Sequence, residues 1–286
     1  MIAMKLLTLN THSLEEPGYV EKTEKFIEML VKEQPDIVAL QEVNQSQNAA
    51  ELPDVMLDGY TRCGGFELPV RADNHAAYVV KELRKRGIYY DWTWISAKTG
   101  YGKYDEGMAL LSRKPIARVQ QFLISKTDDY ENWKTRRTLG IQPEGSSDWF
   151  FTVHMGWWND EEEPFADQWK CIQEALKDPE YGEGIIWLMG DFNSQADVRW
   201  EGYDLVLKSG WKDTYLLAEE KDDGITVAEE IDGWREEDGR SGSTKNEKRL
   251  DYIFCNTPAD VRSSNVICNG KNAPVVSDHY GVMITV

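Results

Sequence analysis

Four stretches of this sequence carry an apolar run into an acid, an amide or an imidazole: Val38-Ala39-Leu40-Gln41-Glu42, Trp187-Leu188-Met189-Gly190-Asp191-Phe192-Asn193, Arg249-Leu250-Asp251-Tyr252 and Val276-Ser277-Asp278-His279. Asn10 and His154 close two further apolar runs in the same way. Any one of these residues reads equally well as a turn former or a helix N-cap, because short polar side chains bond the neighbouring backbone there. Together they read as chemistry. Carboxylate and amide oxygens are hard ligands that suit Mg²⁺, a held carboxylate can orient or deprotonate a water, and imidazoles and amides can donate to developing negative charge.

The elements that would position them follow from hydrophobic periodicity. Lys5 to Asn10 predicts a short buried strand, Val20 to Lys32 a helix with Ile27, Leu30 and Val31 on one face, and Asp36 to Leu40 a second strand after Pro35. That order of strand, helix and strand belongs to a sheet covered by helices. Asn74 to Arg86 predicts another helix, with Asp73 or Asn74 as its cap and His75 at its start. Strands are expected at Tyr89 to Ile95, Met108 to Ser112, Ala117 to Ile124, Thr138 to Gln142, Trp149 to His154, Ile185 to Met189, Leu250 to Cys255, Val261 to Ile267 and Gly281 to Val286. Phe165, Trp169, Ile172 and Leu176 recur at helical spacing, with Glu161, Glu162 and Glu163 as an acidic first turn and Pro164 early in the helix. Residues 218–248 are charged, Gly-rich and aperiodic, and predict a long loop or flap. No internal repeat or Pro/Ser-rich linker divides the 286 residues, so one layered α/β domain is expected.

Composition narrows the partners. Lys and Arg number 32 against 50 Asp and Glu, a net charge of −18, and a field of that sign repels polyanions. Nucleic acid is therefore a disfavoured partner, although Lys134, Arg136 and Arg137 would suffice for a local basic groove. No stretch approaches the length of a membrane span, and Met1 to Asn10 lacks the features of a signal peptide, so the expectation is a cytoplasmic protein with no membrane partner. Cys63, Cys171, Cys255 and Cys268 are too dispersed for a zinc site and are expected to be structural or incidental thiols. Nothing in the sequence addresses an oligomeric partner.

These segments, with Gly107-Met108-Ala109-Leu110-Leu111-Ser112-Arg113 and Thr152-Val153-His154 between them, resemble the endonuclease/exonuclease/phosphatase superfamily in its own order. That group includes deoxyribonuclease I, abasic-site endonucleases, inositol-phosphate phosphatases and bacterial sphingomyelinases. The resemblance implies an α/β (α+β) fold, a four-layer α/β/β/α sandwich of two mixed β-sheets packed face to face, with Asn10 and His279 meeting in one cleft. It implies Mg²⁺, with Mn²⁺ as a substitute, held by Glu42 with Asn10 and Asp251 nearby. By the same resemblance Asp191 orients or deprotonates the attacking water, Asn193 holds a phosphoryl oxygen, His154 and His279 stabilise the phosphate, and Asp278 buttresses His279. Such a division of labour answers a physical demand, because phosphate-monoester hydrolysis needs acceleration of up to about 10²¹-fold and no single group supplies it.

The substrate side rests on other residues. Eleven tryptophans are many for this length, and Trp157 and Trp158 follow His154 directly. Two adjacent side chains of a strand cannot both point inward, so at least one of this pair is expected to line the cleft as a platform for a sugar ring or a base. Segments such as Asp73-Asn74-His75-Ala76, Tyr104-Asp105-Glu106-Gly107, Asp129-Tyr130-Glu131-Asn132-Trp133-Lys134-Thr135-Arg136 and Ile231-Asp232-Gly233-Trp234 resemble a Firmicute subgroup containing maltose 6'-phosphate phosphatases. That resemblance makes Asp73, Asn74, Glu106, Arg136, Trp157, Trp158 and Trp234 the expected substrate contacts and a small phosphorylated sugar the expected substrate. A nuclease is the alternative, with a sphingomyelinase-like phosphodiesterase behind it. His12 is open to two readings, a cleft residue or a surface turn.

Overall fold

The computed structural model describes residues 3–229, 231 and 247–286. In chain order the elements are β1 (Lys5–Asn10), α1 (Tyr19–Glu33), β2 (Ile37–Ser46), α2 (His75–Lys85), β3 (Asp91–Gly100), β4 (Tyr104–Ser112), β5 (Ile116–Leu123), β6 (Arg137–Pro143) and β7 (Trp149–His154). They continue with α3 (Phe165–Ala175), β8 (Ile186–Asp191), α4 (Gly202–Lys208), β9 (Lys212–Asp213), α5 (Thr214–Leu217), β10 (Glu220–Lys221), β11 (Asp251–Cys255), β12 (Ser263–Ile267) and β13 (Gly281–Thr285). One sheet runs β10-β12-β13-β1-β2-β4-β3 and the other β5-β6-β7-β8-β11-β9. Both are mixed: β1 with β2 and β7 with β8 are parallel, while β2 with β4 and β8 with β11 are antiparallel.

Alternation along the strands sorts the side chains into layers. From β1, Leu7 and Leu9 face outward onto Phe26, Ile27 and Leu30 of α1 and Val79 and Leu83 of α2. Leu6 of the same strand faces inward, where Ile37, Ala39, Met108 and Leu110 of the first sheet meet Leu139, Ile141, Phe150, Trp187, Met189 and Ile253 of the second. On the far side, Phe151, Val153, Leu188 and Phe254 pack on Phe165, Trp169 and Ile172 of α3 and Val206 of α4. Each buried side chain of this kind contributes about 1.5–3 kcal/mol. The expected α/β/β/α sandwich is what forms.

Between the sheets the apolar layer gives way to polar groups toward one end. Gln41 reaches across, donating from Nε2 to Thr8 Oγ1 at 3.1 Å and to Thr152 Oγ1 at 2.8 Å. Thr8, Gln41 and Thr152 are all fully buried, so this bridge fixes the spacing of the sheets just beneath the next residues along each strand.

Several elements differ from expectation. β2 does not stop at Leu40 but continues to Ser46, and its pairing with β4 shifts between Leu40 and Val43. A second shift, between Ser96 and Lys98, interrupts β3 against β4. Both are β-bulges, both fall where the strand pairs with Gly107, and the one in β3 needs a glycine there: a Cβ would lie 1.8 Å from the Ile95 carbonyl oxygen. Gly107→Ala is therefore expected to cost about 1–3 kcal/mol or more, read as a lowered Tm by calorimetry; an unchanged Tm would contradict the assigned close approach. Pro164 caps α3, and Glu161 to Glu163 precede the helix in a bend. Glu163 is buried there because it accepts the backbone N–H groups of Lys126 and Thr127, both at 2.8 Å. The 218–248 segment is tied at its ends: Glu220 and Lys221 pair with Ser263 and Ser264, and Val227 bridges Lys248. Among the described residues no helix is long and apolar enough to cross a membrane.

Candidate active site

The inward parity that buries Leu6 and Thr8 carries Asn10 to the end of the sandwich, and the same holds for His154 on β7, Asp191 on β8 and Asp251 on β11. Glu42 arrives by another route. Regular alternation would send it outward with Val38 and Leu40, but the bulge places it beside Gln41 with φ 51°. This left-handed backbone is unfavourable for a non-glycine residue. It is held by Ser13 Oγ and Thr11 Oγ1, which donate to the Glu42 carbonyl at 2.7 Å and 3.2 Å. The second bulge turns Lys98 inward to meet Glu106 at 3.1 Å.

The result is a cleft of about 360 Å³ lined by Glu42, Lys98, Glu106, Arg136, His154, Asp191, Asn193, Asp278 and His279, with His12, Tyr101, Trp133 and Trp157 around it. Its size suits a small ligand. At the floor, Asn10 Nδ2 donates to Glu42 Oε1 at 3.0 Å and to Asp191 Oδ2 at 3.2 Å, so one amide ties together carboxylates from the two sheets. Asp191 Oδ1 accepts the backbone N–H of Asn193 at 2.8 Å, leaving Oδ2 facing the cleft. His154 Nε2 and His279 Nε2 stand 3.7 Å and 3.8 Å from that oxygen, beyond direct hydrogen-bond reach. Asn193 sits at φ 45° and donates from Nδ2 to the Met155 carbonyl at 2.9 Å. Gly190, before Asp191, packs so tightly that a Cβ would lie 2.0 Å from the Val153 carbonyl oxygen.

Electrostatics separates the groups by role. Burial raises Asp191 to about 7, against the opposing pull of His279. Burial also opposes charge on His279, but Asp251 and Asp191 outweigh it and hold the imidazole well above its ordinary range, so it is cationic at neutral pH. His154 is the reverse: burial, reinforced by Arg136, Lys98 and His279, holds it well below that range and therefore neutral. For His12, burial is outweighed by Glu16, Glu42 and Asp278, and its pKa rises to about 9.

One expected pairing is corrected. His279 is oriented by Asp251, whose Oδ2 lies 2.9 Å from Nδ1, and not by its neighbour Asp278. Asp278 turns the other way, toward His12 at 3.9 Å, while its backbone N–H is bound by Glu16 Oε1 at 2.8 Å. Of the expected ligand trio, Asn10 does stand against Glu42, and Asp251 is drawn to His279 instead. Asp251 belongs with Asp191 and His279, and Asn10 presents its amide nitrogen to the carboxylates while its Oδ1 accepts the His12 N–H at 3.2 Å.

Glu42 fits a divalent cation. Its Oε2 is buried with no hydrogen-bond partner, and burial together with the charge of Glu106 pushes its pKa up, a state that a bound cation relieves. The ligand atoms of Asp191, Asp251 and His279 also cluster within 4.8 Å. A cationic imidazole already bonded to a carboxylate is a poor ligand, so Glu42 is the better anchor. Saturating Mg²⁺ or Mn²⁺ is expected to raise Tm, by about 2.7 kcal/mol of stability at 100 times Kd, with the gain reduced in Glu42→Gln. An equal gain in both proteins by thermal unfolding would assign the ion elsewhere.

The other expected contacts divide. Glu106, Arg136 and Trp157 line the cleft. Asp73 and Asn74 do not: Asp73 accepts the Ser46 N–H, and Asn74 caps α2 through Ala77 and donates to Gln45 at 3.0 Å. Trp157 and Trp158 lie beyond β7 in a turn, and Trp158 packs on Phe165 under α3. Arg137 stacks over Phe66 instead of entering the cleft. Trp234 lies outside the described residues. His12 is a cleft residue, and His75 is a buried neutral histidine bonded to Tyr19. Lys98 and Tyr101 were not expected; a lysine inside β3, where no other residue after Asp91 is charged, is the one signal that pointed to the first of them.

A four-layer sandwich that gathers acids, amides and imidazoles between its two sheets defines a class of hydrolases. This chain belongs to the endonuclease/exonuclease/phosphatase family, whose sequence model matches residues 7–279. Among solved structures it is similar to an endonuclease/exonuclease/phosphatase family protein from Leptotrichia buccalis, at 34% identity, TM-score 0.83 and 98% coverage of each chain. A mannosyl-6-phosphatase from Bacteroides thetaiotaomicron shares the fold at 17% identity, TM-score 0.65 and 99% coverage of each chain. TDP2 from Caenorhabditis elegans shares it at 15% identity and TM-score 0.60, over 99% of this chain and 75% of that one. No curated protein matches the chain.

Proposed function

We propose that this protein is a Mg²⁺-dependent phosphatase, with Mn²⁺ as a substitute, that hydrolyses the phosphomonoester of a small sugar, maltose 6'-phosphate or a related sugar phosphate. The observation that carries the reading is the composition of one cleft: acids, amides and imidazoles at its floor, and the Trp133 and Trp157 rings 5.6 Å apart beside Arg136 on its wall. Such a cleft accepts a ligand with an anionic end and a flat, partly apolar body. The net charge of −18 favours a small ester over a duplex.

In this reading Glu42 holds the cation, which when bound polarises the phosphoryl oxygens. Asp191, fixed by Asn10 and by the Asn193 N–H, orients the water and takes its proton. His279, cationic on Asp251, donates to a phosphoryl oxygen, and neutral His154 and Asn193 complete the cradle. The aromatic pair receives the sugar. The fold neighbour described as a mannosyl-6-phosphatase supports a sugar phosphate, although a shared fold by itself does not choose the ester.

Release of inorganic phosphate from disaccharide and monosaccharide 6-phosphates, nucleotides and inositol phosphates, with plasmid and abasic-DNA nicking in parallel, tests the reading. The expected result is metal-dependent phosphate release with a disaccharide phosphate preferred. DNA nicking without phosphate release would replace it with the nuclease.

A further inference from the structure

The cationic side chains of the cleft pair off with carboxylates, with one exception. Lys98 lies 3.1 Å from Glu106, His279 2.9 Å from Asp251 and His12 3.0 Å from Glu16. Arg136 has no such partner: it is 4% exposed, yet among the described residues no carboxylate stands within ion-pair distance of its guanidinium. Glu42, Glu106 and Asp191 are near enough to favour its charge without contacting it. A buried charge left this way is destabilising unless something supplies the counter-charge.

Its geometry is also one-sided. Nη1 donates to the carbonyls of Trp133 at 2.8 Å and Thr135 at 3.3 Å, which sets the plane of the group. The backbone is fixed as well, with the Arg136 N–H bonded to Ser125 Oγ at 2.9 Å and its carbonyl accepting from Ile124 at 3.0 Å. Nε is buried without an acceptor, and no described residue takes Nη2. These two nitrogens form one edge of the planar guanidinium, with parallel donors at the spacing of two phosphoryl oxygens.

A phosphomonoester and a phosphodiester differ by one negative charge at neutral pH, since the second ionisation of a monoester has a pKa of about 6. We propose that Arg136 selects phosphomonoesters over diesters, receiving two oxygens of the dianionic phosphoryl group on its Nε and Nη2 edge. This rests on the phosphatase reading of the same cleft and names the charge state that it accepts. A diester keeps only two unesterified oxygens and a single negative charge, so seating both on the fork leaves no third oxygen for the donors opposite, and the counter-charge that Arg136 lacks is supplied only in part.

The test measures binding of two non-hydrolysable probes to the Mg²⁺-loaded protein by calorimetry at pH 8: phenylphosphonate, a dianion, and its monomethyl ester, a monoanion. Wild type is expected to bind the dianion at least about tenfold more tightly. Arg136→Gln is expected to weaken the dianion by about 30-fold or more, the lower range for losing one partner of a buried charge pair, and the monoanion far less. Arg136→Lys, which keeps the charge but not the fork, is expected to fall between them. Equal weakening of both probes, no weakening, or no binding of the dianion by wild type would overturn the proposal. If Arg136→Gln fails to fold, Arg136→Lys carries the same comparison. Phosphate release from a sugar phosphate, measured on the same preparations, separates the two readings. Activity without Arg136-dependent selectivity overturns only this inference, whereas selectivity without activity overturns only the phosphatase.

Discussion

Asp191→Asn is expected to lower kcat for phosphomonoester hydrolysis by about 10³-fold, within the 10²–10⁴-fold that a positioned base contributes, while the protein remains folded. The exchange is nearly isosteric. Its Oδ1 can still accept the Asn193 N–H, and its position at the end of β8 is fixed by pairing with Asp251 and His154 across the sheet. A loss of about 1–3 kcal/mol is expected where the new amide nitrogen faces Asn10 Nδ2, offset in part by removal of a carboxylate whose ionisation burial opposes. What disappears is the proton acceptor. Since the pKa is raised to about 7, Asp191 is protonated below that value and ionised above it. Wild-type activity should therefore fall as the pH drops through about 7, and the residual activity of the variant should lack that step. A pH profile of kcat/KM for both proteins reads this directly. Near-normal turnover in Asp191→Asn would remove Asp191 from the reaction.

His279→Ala is expected to cost about 10²–10³-fold in kcat, the scale of losing one donor to developing charge. The sharper version of this prediction concerns its neighbours. If Asp251 holds the imidazole in its cationic form, Asp251→Asn should reproduce most of the His279→Ala loss and Asp278→Asn should not. Double mutants decide between coupling and coincidence: His279→Ala with Asp251→Asn should lose little more than His279→Ala alone, because the two act as a unit. Additive losses would assign Asp251 a separate role, and a larger loss in Asp278→Asn would restore the pairing that sequence adjacency suggested.

That pairing shows where the sequence stops being informative. Asp278 and His279 are adjacent, so a sequence reading joins them. The chain is turning there, however, and adjacent side chains point apart, one toward His12 and the other across to β11. The strands and helices were legible because burial on one face imposes a period, and Trp149–His154 falls within the residues that periodicity assigned to it. The place of Asn10, His154, Asp191 and Asp251 at the ends of apolar runs was legible for the same reason.

The bulges were not. Whether Glu42 and Lys98 face the cleft depends on which residue of β4 each one opposes, and the register is set by pairing with Gly107, about 65 residues from Glu42 along the chain. Gln41, spanning the sheets, and Arg136, buried without a carboxylate, are visible only once both sheets are in place. Asp73 and Asn74 show the converse. A resemblance to a subgroup pattern made them expected substrate contacts, yet their side chains are committed to the start of α2 and to β2. Of the two tryptophans Trp157 does line the cleft, but not for the reason strand alternation offered: both lie beyond the end of β7, and the chain's turn there sends Trp158 onto Phe165.

The most direct measurement of the central claim is the isotopic fate of water. Hydrolysis of a disaccharide 6-phosphate in ¹⁸O-water, with Mg²⁺ present and after chelation, should place one ¹⁸O in the released phosphate and none in the sugar. Release should stop on chelation and be nearly abolished in Asp191→Asn. Label in the sugar hydroxyl, or release that persists without a divalent ion and with Asp191 replaced, would contradict attack on phosphorus by a water held in this cleft.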